Sequence, residues 1–390
     1  MAPAGRFSGT FALLWLVALL GYLGFQLTTA GLPLYAVSLG ADDAAVGLLS
    51  GVIALTSLVS RPWVGVWLDR GGARGALVIS GCLFAASAAG FAASSSVGAL
   101  IGFRVLSGLG IALLSTASQL LAVVLAPAPR RGEALSVLAL ALSLGQGIGP
   151  AAGVAMAARA GYRSLFGACA AASAAAALLA MTLPAASAAS PARASAGMFH
   201  RGVVLPGVLL MALMASFGVN FALLAVHAVR RGLGNPGVAF TAFAAGQVAS
   251  QILLRRISDR VGRAAAIIPG LALVAAGMAV SGLAGGWLLA AGAFLVGAGQ
   301  GVAQPALLAL ASDLSGAGGR GRALATMGIF LELGIGAGAI GGGLVGRAVG
   351  LQTTYLLAAA GAAAAGVLGG AWLRRPEVSL ARRLPARDQG

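Results

Sequence analysis

Gly65-Val66-Trp67-Leu68-Asp69-Arg70-Gly71-Gly72-Ala73-Arg74 is a short charged stretch between two apolar runs, and the chain repeats its core 190 residues later as Asp259-Arg260 followed by Gly262 and Arg263. Working outward, more anchors recur. Phe103, Gly108 and Gly110 match Phe294, Gly299 and Gly301 at an offset of 191. Arg131 to Leu135 (RGEAL) matches Arg320 to Leu324 (RGRAL), and Gly145, Gly147, Gly149 and Gly153 match Gly334, Gly336, Gly338 and Gly342, both at 189. Four anchors in register over half a chain mark an internal duplication. Two related membrane halves are a common way to build a central site that is reached alternately from either side.

Composition says what surrounds those halves. Of 390 residues, 59% are hydrophobic and 9% charged, so nearly all of the chain must sit in something other than water. With about 20 apolar residues needed per helical crossing, twelve spans are expected, beginning near Phe11, Ala44, Gly75, Val97, Glu133, Tyr162, Val203, Val238, Ala264, Gly286, Arg322 and Leu351. The runs lack the period-2 alternation of a membrane barrel, so the spans are helices with their backbone groups satisfied internally. The expected fold is an all-α polytopic membrane protein, with two pseudo-symmetric six-helix bundles at 1–183 and 203–373. A linker at 184–202, rich in Ala, Ser and Pro, and a basic tail at 374–390 complete the chain.

The formal charge of +16 comes with 25 arginines and no lysine. A nucleic-acid protein gathers such charge on a solvated face, whereas here it falls in loops between apolar spans. Arg159, Arg163, Arg230, Arg231 and Arg347 lie on one side, Arg61 and Arg104 lie in spans, and the rest lie on the other side. The positive-inside rule then makes both termini cytoplasmic. Cys82 and Cys169 both fall in spans, which indicates neither a disulfide framework nor a metal site. No nucleotide-binding loop and no nucleophile with a base nearby is evident, so no enzyme is expected, no cofactor is called for, and energy must come from an ion gradient.

The stretch from Gly65 to Arg74 resembles the second-to-third-helix motif of the major facilitator superfamily: Gly, three residues, Asp-Arg, one residue, Gly, then basic residues. Ala73 replaces a common Arg or Lys. The resemblance covers essentially the whole chain. It implies a conformational latch of Gly65, Asp69, Arg70, Gly72 and Arg74, in which Asp69 accepts hydrogen bonds from a helix N-terminus and pairs with arginines. A degraded second copy holds Asp259, Arg260, Gly262 and Arg263, with Arg255 where the leading Gly stands. Arg104 matches the fourth-helix Arg that the family uses in proton coupling, although Ser107 stands where Gln is common; at the offset of 191 its counterpart is Leu295. Gly145, Gly149, Pro150 and Gly153 match the fifth-helix antiporter motif of proton-driven exporters, with Val154 in place of the usual final Gly. Pro150 bends the helix, and glycines four apart admit a close neighbour.

Glu332 is the one acid deep in a span. It lies about 200° round the helix from Gly334, Gly338 and Gly342, so if those glycines pack on a neighbour the carboxyl faces the other way. A water-filled cavity is the expected environment, and exchange of a proton the expected use. Tyr22, Gln26, Thr29, Asn220, Gln247, Gln251, Gln300 and Gln304 are candidates for lining the substrate cavity, His227 is read as interfacial, and Arg61 as structural. The expected function is export of a small molecule in exchange for protons, by alternating access, from a monomer in a bacterial inner membrane. Its partners are then the substrate, protons and lipid, with no nucleic acid. Proton-coupled uptake and a non-transporting sensor are the alternatives.

Overall fold

The computed structural model describes residues 9–70, 72–127, 130–184, 200–261 and 264–373, and among these the fold is helical throughout. The helices are α1 Gly9–Ser38, α2 Asp43–Asp69, α3 Ala73–Ala93, α4 Val97–Leu125, a long run Arg131–Met181, α7 Val204–Arg230, α8 Gly237–Val261, α9 Ala264–Leu283, α10 Trp287–Leu314, α11 Gly316–Val349 and α12 Leu351–Leu373. The long run is two rods, α5 at 131–160 and α6 at 162–181, because Gly161 between them has φ 79° and ψ 168°. Only glycine holds that conformation without strain. Gly350, between α11 and α12, adopts φ 86° and ψ 155°, so the same hairpin recurs 189 residues later. Twelve rods result, starting within a few residues of where the sequence places them. Ten of the helical runs are long and apolar enough to cross a membrane; α8, which carries Gln247 and Gln251, packs between α5 and α10.

The duplication is visible in the packing. A Cβ at Gly145 or Gly149 would press on Tyr22 and Gln26 of α1, and one at Gly334 or Gly338 would press on Met211 and Ala215 of α7. Both glycine faces and both partners thus repeat at 189. Packing also corrects one offset read from the sequence. Gly108 meets α2 at Ile53 and Thr56, and its true counterpart is Gly297, which meets α8 at Phe243; Gly110 meets Phe84 of α3, as Gly299 meets Val274 of α9. The fourth and tenth helices therefore align at 189 and not 191, since what must be preserved is the face each glycine presents. The counterpart of Arg104 becomes Ala293, fully buried, instead of Leu295.

Each half is a bundle in which its first helix packs on its fifth and its third on its fourth and sixth. The halves meet where α2 lies along α11, α5 along α8, and α1 beside α7. One end of the molecule carries Asp42, and the other carries Arg70.

Candidate functional site

The seam between the halves is tightest toward the Asp42 end. Gly47 of α2 sits against Ala339 and Gly343 of α11, with 2.8 Å between its would-be Cβ and the Cα of Gly343; Gly237 of α8 sits equally tight on Ala151 of α5, 2.8 Å from its backbone nitrogen. Thr241 Oγ1 of α8 donates to the Gly147 carbonyl of α5 at 2.6 Å. Two ion pairs cross the seam above these contacts: Asp43 with Arg230 at 2.8 Å and Asp42 with Arg347 at 3.2 Å. Each acid begins α2, and each arginine ends α7 or α11. All four charges therefore also complement helix dipoles, negative at an N-terminus and positive at a C-terminus. Asp42 additionally caps α2, accepting from Ala45 N at 2.8 Å. The hydrogen bonds and ion pairs seen joining the halves lie between this end and the middle of the bundle.

Within the seam, a narrow cleft of about 20 Å³ lies between α1 and α5 on one side and α7 and α8 on the other. Its polar lining is Gln26, Thr29, Gln146 and Asn220, and its apolar lining is Pro150, Phe217, Phe221, Leu224, Phe240 and Phe243. The rings form a connected wall: Phe217 stacks with Phe221 at 5.6 Å and meets Phe243 at 5.8 Å, and Phe221 stacks on Phe25 at 6.4 Å. Of the eight polar residues named as candidates for a substrate cavity, Gln26, Thr29 and Asn220 line this cleft. Tyr22, Gln247, Gln251, Gln300 and Gln304 lie outside this cavity. Tyr22 is buried beneath Gly145, and Gln300 turns its amide to Met214 Sδ at 3.8 Å. Gln146, the polar residue inside Gly145-Gln146-Gly147, gains its place at the cleft only from the approach of α8 to α5.

Glu332 stands at the mid-seam. The glycines Gly334, Gly338 and Gly342 pack on α7, and the carboxyl points the other way, at α2. There it accepts from Ser57 Oγ at 3.2 Å and pairs with Arg61. The Glu332 side chain is 8% exposed and that of Arg61 42%, so the pair has one buried and one wetted end. Arg61, read from the sequence as structural, thus joins the two halves by this pair. No sequence pattern pairs the two residues, which are 271 apart and on different halves.

Arg104 is elsewhere. It is 1% exposed inside the first half, where Nη1 donates to Thr28 Oγ1 at 2.9 Å and the guanidinium lies over the rings of Phe25 at 5.4 Å and Phe91 at 5.9 Å. Its described contacts share no residue with those of Glu332, so this conformation does not bring the two together. His227 is likewise not interfacial: it is 1% exposed, stacked on Tyr355 at 4.4 Å, with Nε2 against the Ser281 carbonyl at 2.8 Å. Of the latch, Gly72 lies under the Trp67 indole, with only 2.7 Å left for a Cβ, whereas Gly65 faces open space. Arg74 reaches the Leu183 carbonyl at 3.4 Å, and Arg70 is exposed. The side chains of Asp69, Asp259 and Arg260, and residues Gly262 and Arg263, lie outside the described residues.

Two repeated bundles, a seam tight at one end and an uncharged cavity at its middle define a membrane transporter. The model of the Major Facilitator Superfamily matches residues 14–236 and again 208–390, and the chain belongs to that family. It is 27% identical over 373 residues, 92% of this chain and 91% of the relative, to the uncharacterized MFS-type transporter YhhS of Escherichia coli O6:H1. It is 25% identical over 132 residues to Multidrug resistance protein 2 of Bacillus subtilis, a match spanning 34% of this chain and only 33% of that protein. In fold it resembles the nucleoside transporter NupG, with a TM-score of 0.80 at 13% identity over 94% of this chain and all of that one.

Proposed function

We propose that this transporter exports a small molecule across a bacterial inner membrane in exchange for protons, by alternating access, with Glu332 as the proton-carrying group and Arg61 as its partner. The arginine distribution supports placing the Arg70 end in the cytoplasm. The closed Asp42 end is then the outer gate, and this conformation opens inward. The observation that carries the reading is the Arg61–Glu332 pair spanning the two halves at mid-seam.

The chemistry follows from its position. With the halves closed outside, ionised Glu332 is neutralised by Arg61, and the pair holds α2 to α11 while the carrier is empty. Substrate entering the cavity from the cytoplasm favours opening of the outer gate, which draws α2 from α11 and separates the pair. Opening leaves the buried carboxylate without its counter-charge, which a proton can replace. Glu332 therefore takes a proton from outside as the substrate leaves. The neutral acid lets the halves close again, and pairing with Arg61 expels the proton inward. The Pro150-bearing glycine motif and the name of the partial relative, Multidrug resistance protein 2, favour export over uptake.

The test is substrate-dependent proton flux in everted vesicles carrying wild type or Glu332→Gln, with a panel of drugs, sugars and metabolites. Wild type should dissipate an imposed pH gradient with at least one compound, and the variant should not. A Glu332→Gln variant with wild-type flux refutes the role of Glu332, and flux of the opposite sign establishes uptake instead.

A further inference from the structure

Resting on the reading of the central cavity as the transport site, we propose that its substrate is an electrically neutral, planar aromatic molecule bearing both an N–H donor and a carbonyl-type acceptor, as in a lactam fused to a ring. Charge is the first consideration. No ionisable side chain lines the cavity, so an ion entering it would lose its hydration without a counter-charge. An aromatic wall by itself attracts cations, but here its outer ring is already engaged. The Arg104 guanidinium lies 5.4 Å from the Phe25 ring, and Phe25 stacks on Phe221 of the wall. A second cation on that stack meets the field of the first. An anion gains little either, because Phe25 stands between the cavity and Arg104.

Shape comes next. The space is narrow and flanked by the Phe217, Phe221 and Phe243 rings, so a flat aromatic body can slip between them with less parting of the walls than a bulky aliphatic one, and then stack on them.

The polar complement follows from the hydrogen bonds already made. Asn220 is 3% exposed, and its Nδ2 is turned to Met278 Sδ at 3.6 Å. A thioether only accepts, so that orientation is fixed and leaves the Oδ1 of Asn220 buried without a partner. A buried acceptor in that condition is one a ligand N–H satisfies. Gln26 is the reverse case: its Oε1 already accepts from Thr29 Oγ1 at 2.7 Å, which leaves Nε2 to donate to a ligand carbonyl.

The experiment is equilibrium dialysis with the purified full chain in lipid nanodiscs, using three matched probes: 2-quinolone, 1-methyl-2-quinolone, which lacks the N–H, and the 1-methylquinolinium cation. The lactam should bind about tenfold tighter than its N-methyl analogue, with the cation weakest. Asn220→Leu should erase the preference for the N–H while holding the N-methyl analogue within about twofold of wild type. Equal binding of the two quinolones to wild type, tightest binding of the cation, or binding of none of the three overturns the proposal, and these wild-type comparisons need no variant to fold. Glu332→Gln should keep the lactam preference. If that preference stands while no proton flux is found, the substrate class survives and proton exchange falls. If coupled flux is found without the preference, the reverse holds.

Discussion

Adding one methyl group at Gly47 should drive the protein out of the conformation described. The Cβ of an alanine there would lie against the Ala339 carbonyl oxygen, 2.8 Å from Gly343 Cα and 3.1 Å from its nitrogen. All are backbone atoms of α11 with no rotamer to move, so α2 and α11 must part by roughly half an ångström or more to restore van der Waals contact. Overpacking of this kind costs about 1–3 kcal/mol. Because Gly47 and Gly343 belong to opposite halves, the penalty falls on the state closed at the Asp42 end and not on one open there. At about 1.4 kcal/mol per tenfold, the ratio of open to closed molecules rises roughly 5- to 150-fold. The assay is the spin-label distance between Ser38 and Ala348, two exposed positions flanking the gate, with Cys82 and Cys169 replaced by alanine. Gly47→Ala should enlarge the long-distance population. Gly341→Ala, on α11 but with nothing within 4 Å of its Cβ, should leave it unchanged. Identical distance distributions for Gly47→Ala and wild type, or equal shifts for both variants, would refute the reasoning.

Asp43→Asn should favour the same opening by a smaller factor, about fivefold or less, because Arg230 is half exposed and its pair is partly screened. Arg230→Gln should do likewise, and the double variant should add little, as a double-mutant cycle on the same distances would register. Exchanging the two charges should rescue the gate only in part, since each would then oppose its helix dipole. Arg104→Met should leave the thermal stability of the purified protein within about 1 kcal/mol of wild type or raise it, because the buried guanidinium has no carboxylate among its described contacts. A loss of about 3 kcal/mol or more in thermal unfolding would show that its contacts to Thr28, Phe25 and Phe91 outweigh its desolvation.

The sequence by itself determined the class, the number and order of the helices and the twofold repetition. Those depend on local quantities: a run of apolar residues long enough to cross lipid, and glycines spaced four apart that admit a neighbour. The face of α11 that carries Gly334, Gly338 and Gly342 was readable from spacing, and with it the opposite direction of Glu332. What Glu332 would meet there was not. Arg61 becomes its partner only because α2 of one half lies along α11 of the other, a contact between residues 271 apart that no periodicity encodes. The same holds for Asp42 and Asp43, which read as an ordinary helix start until Arg347 and Arg230 are brought to them. Arg104 shows the converse: its sequence context pointed to a shared coupling site, and tertiary packing enclosed it among rings of its own half. The cavity was half legible because depth along a helix can be counted, whereas the direction of a side chain depends on how the helices are rotated against one another. That rotation is set by packing summed over the whole seam, so only the assembled structure decided which of eight polar residues face the central cleft.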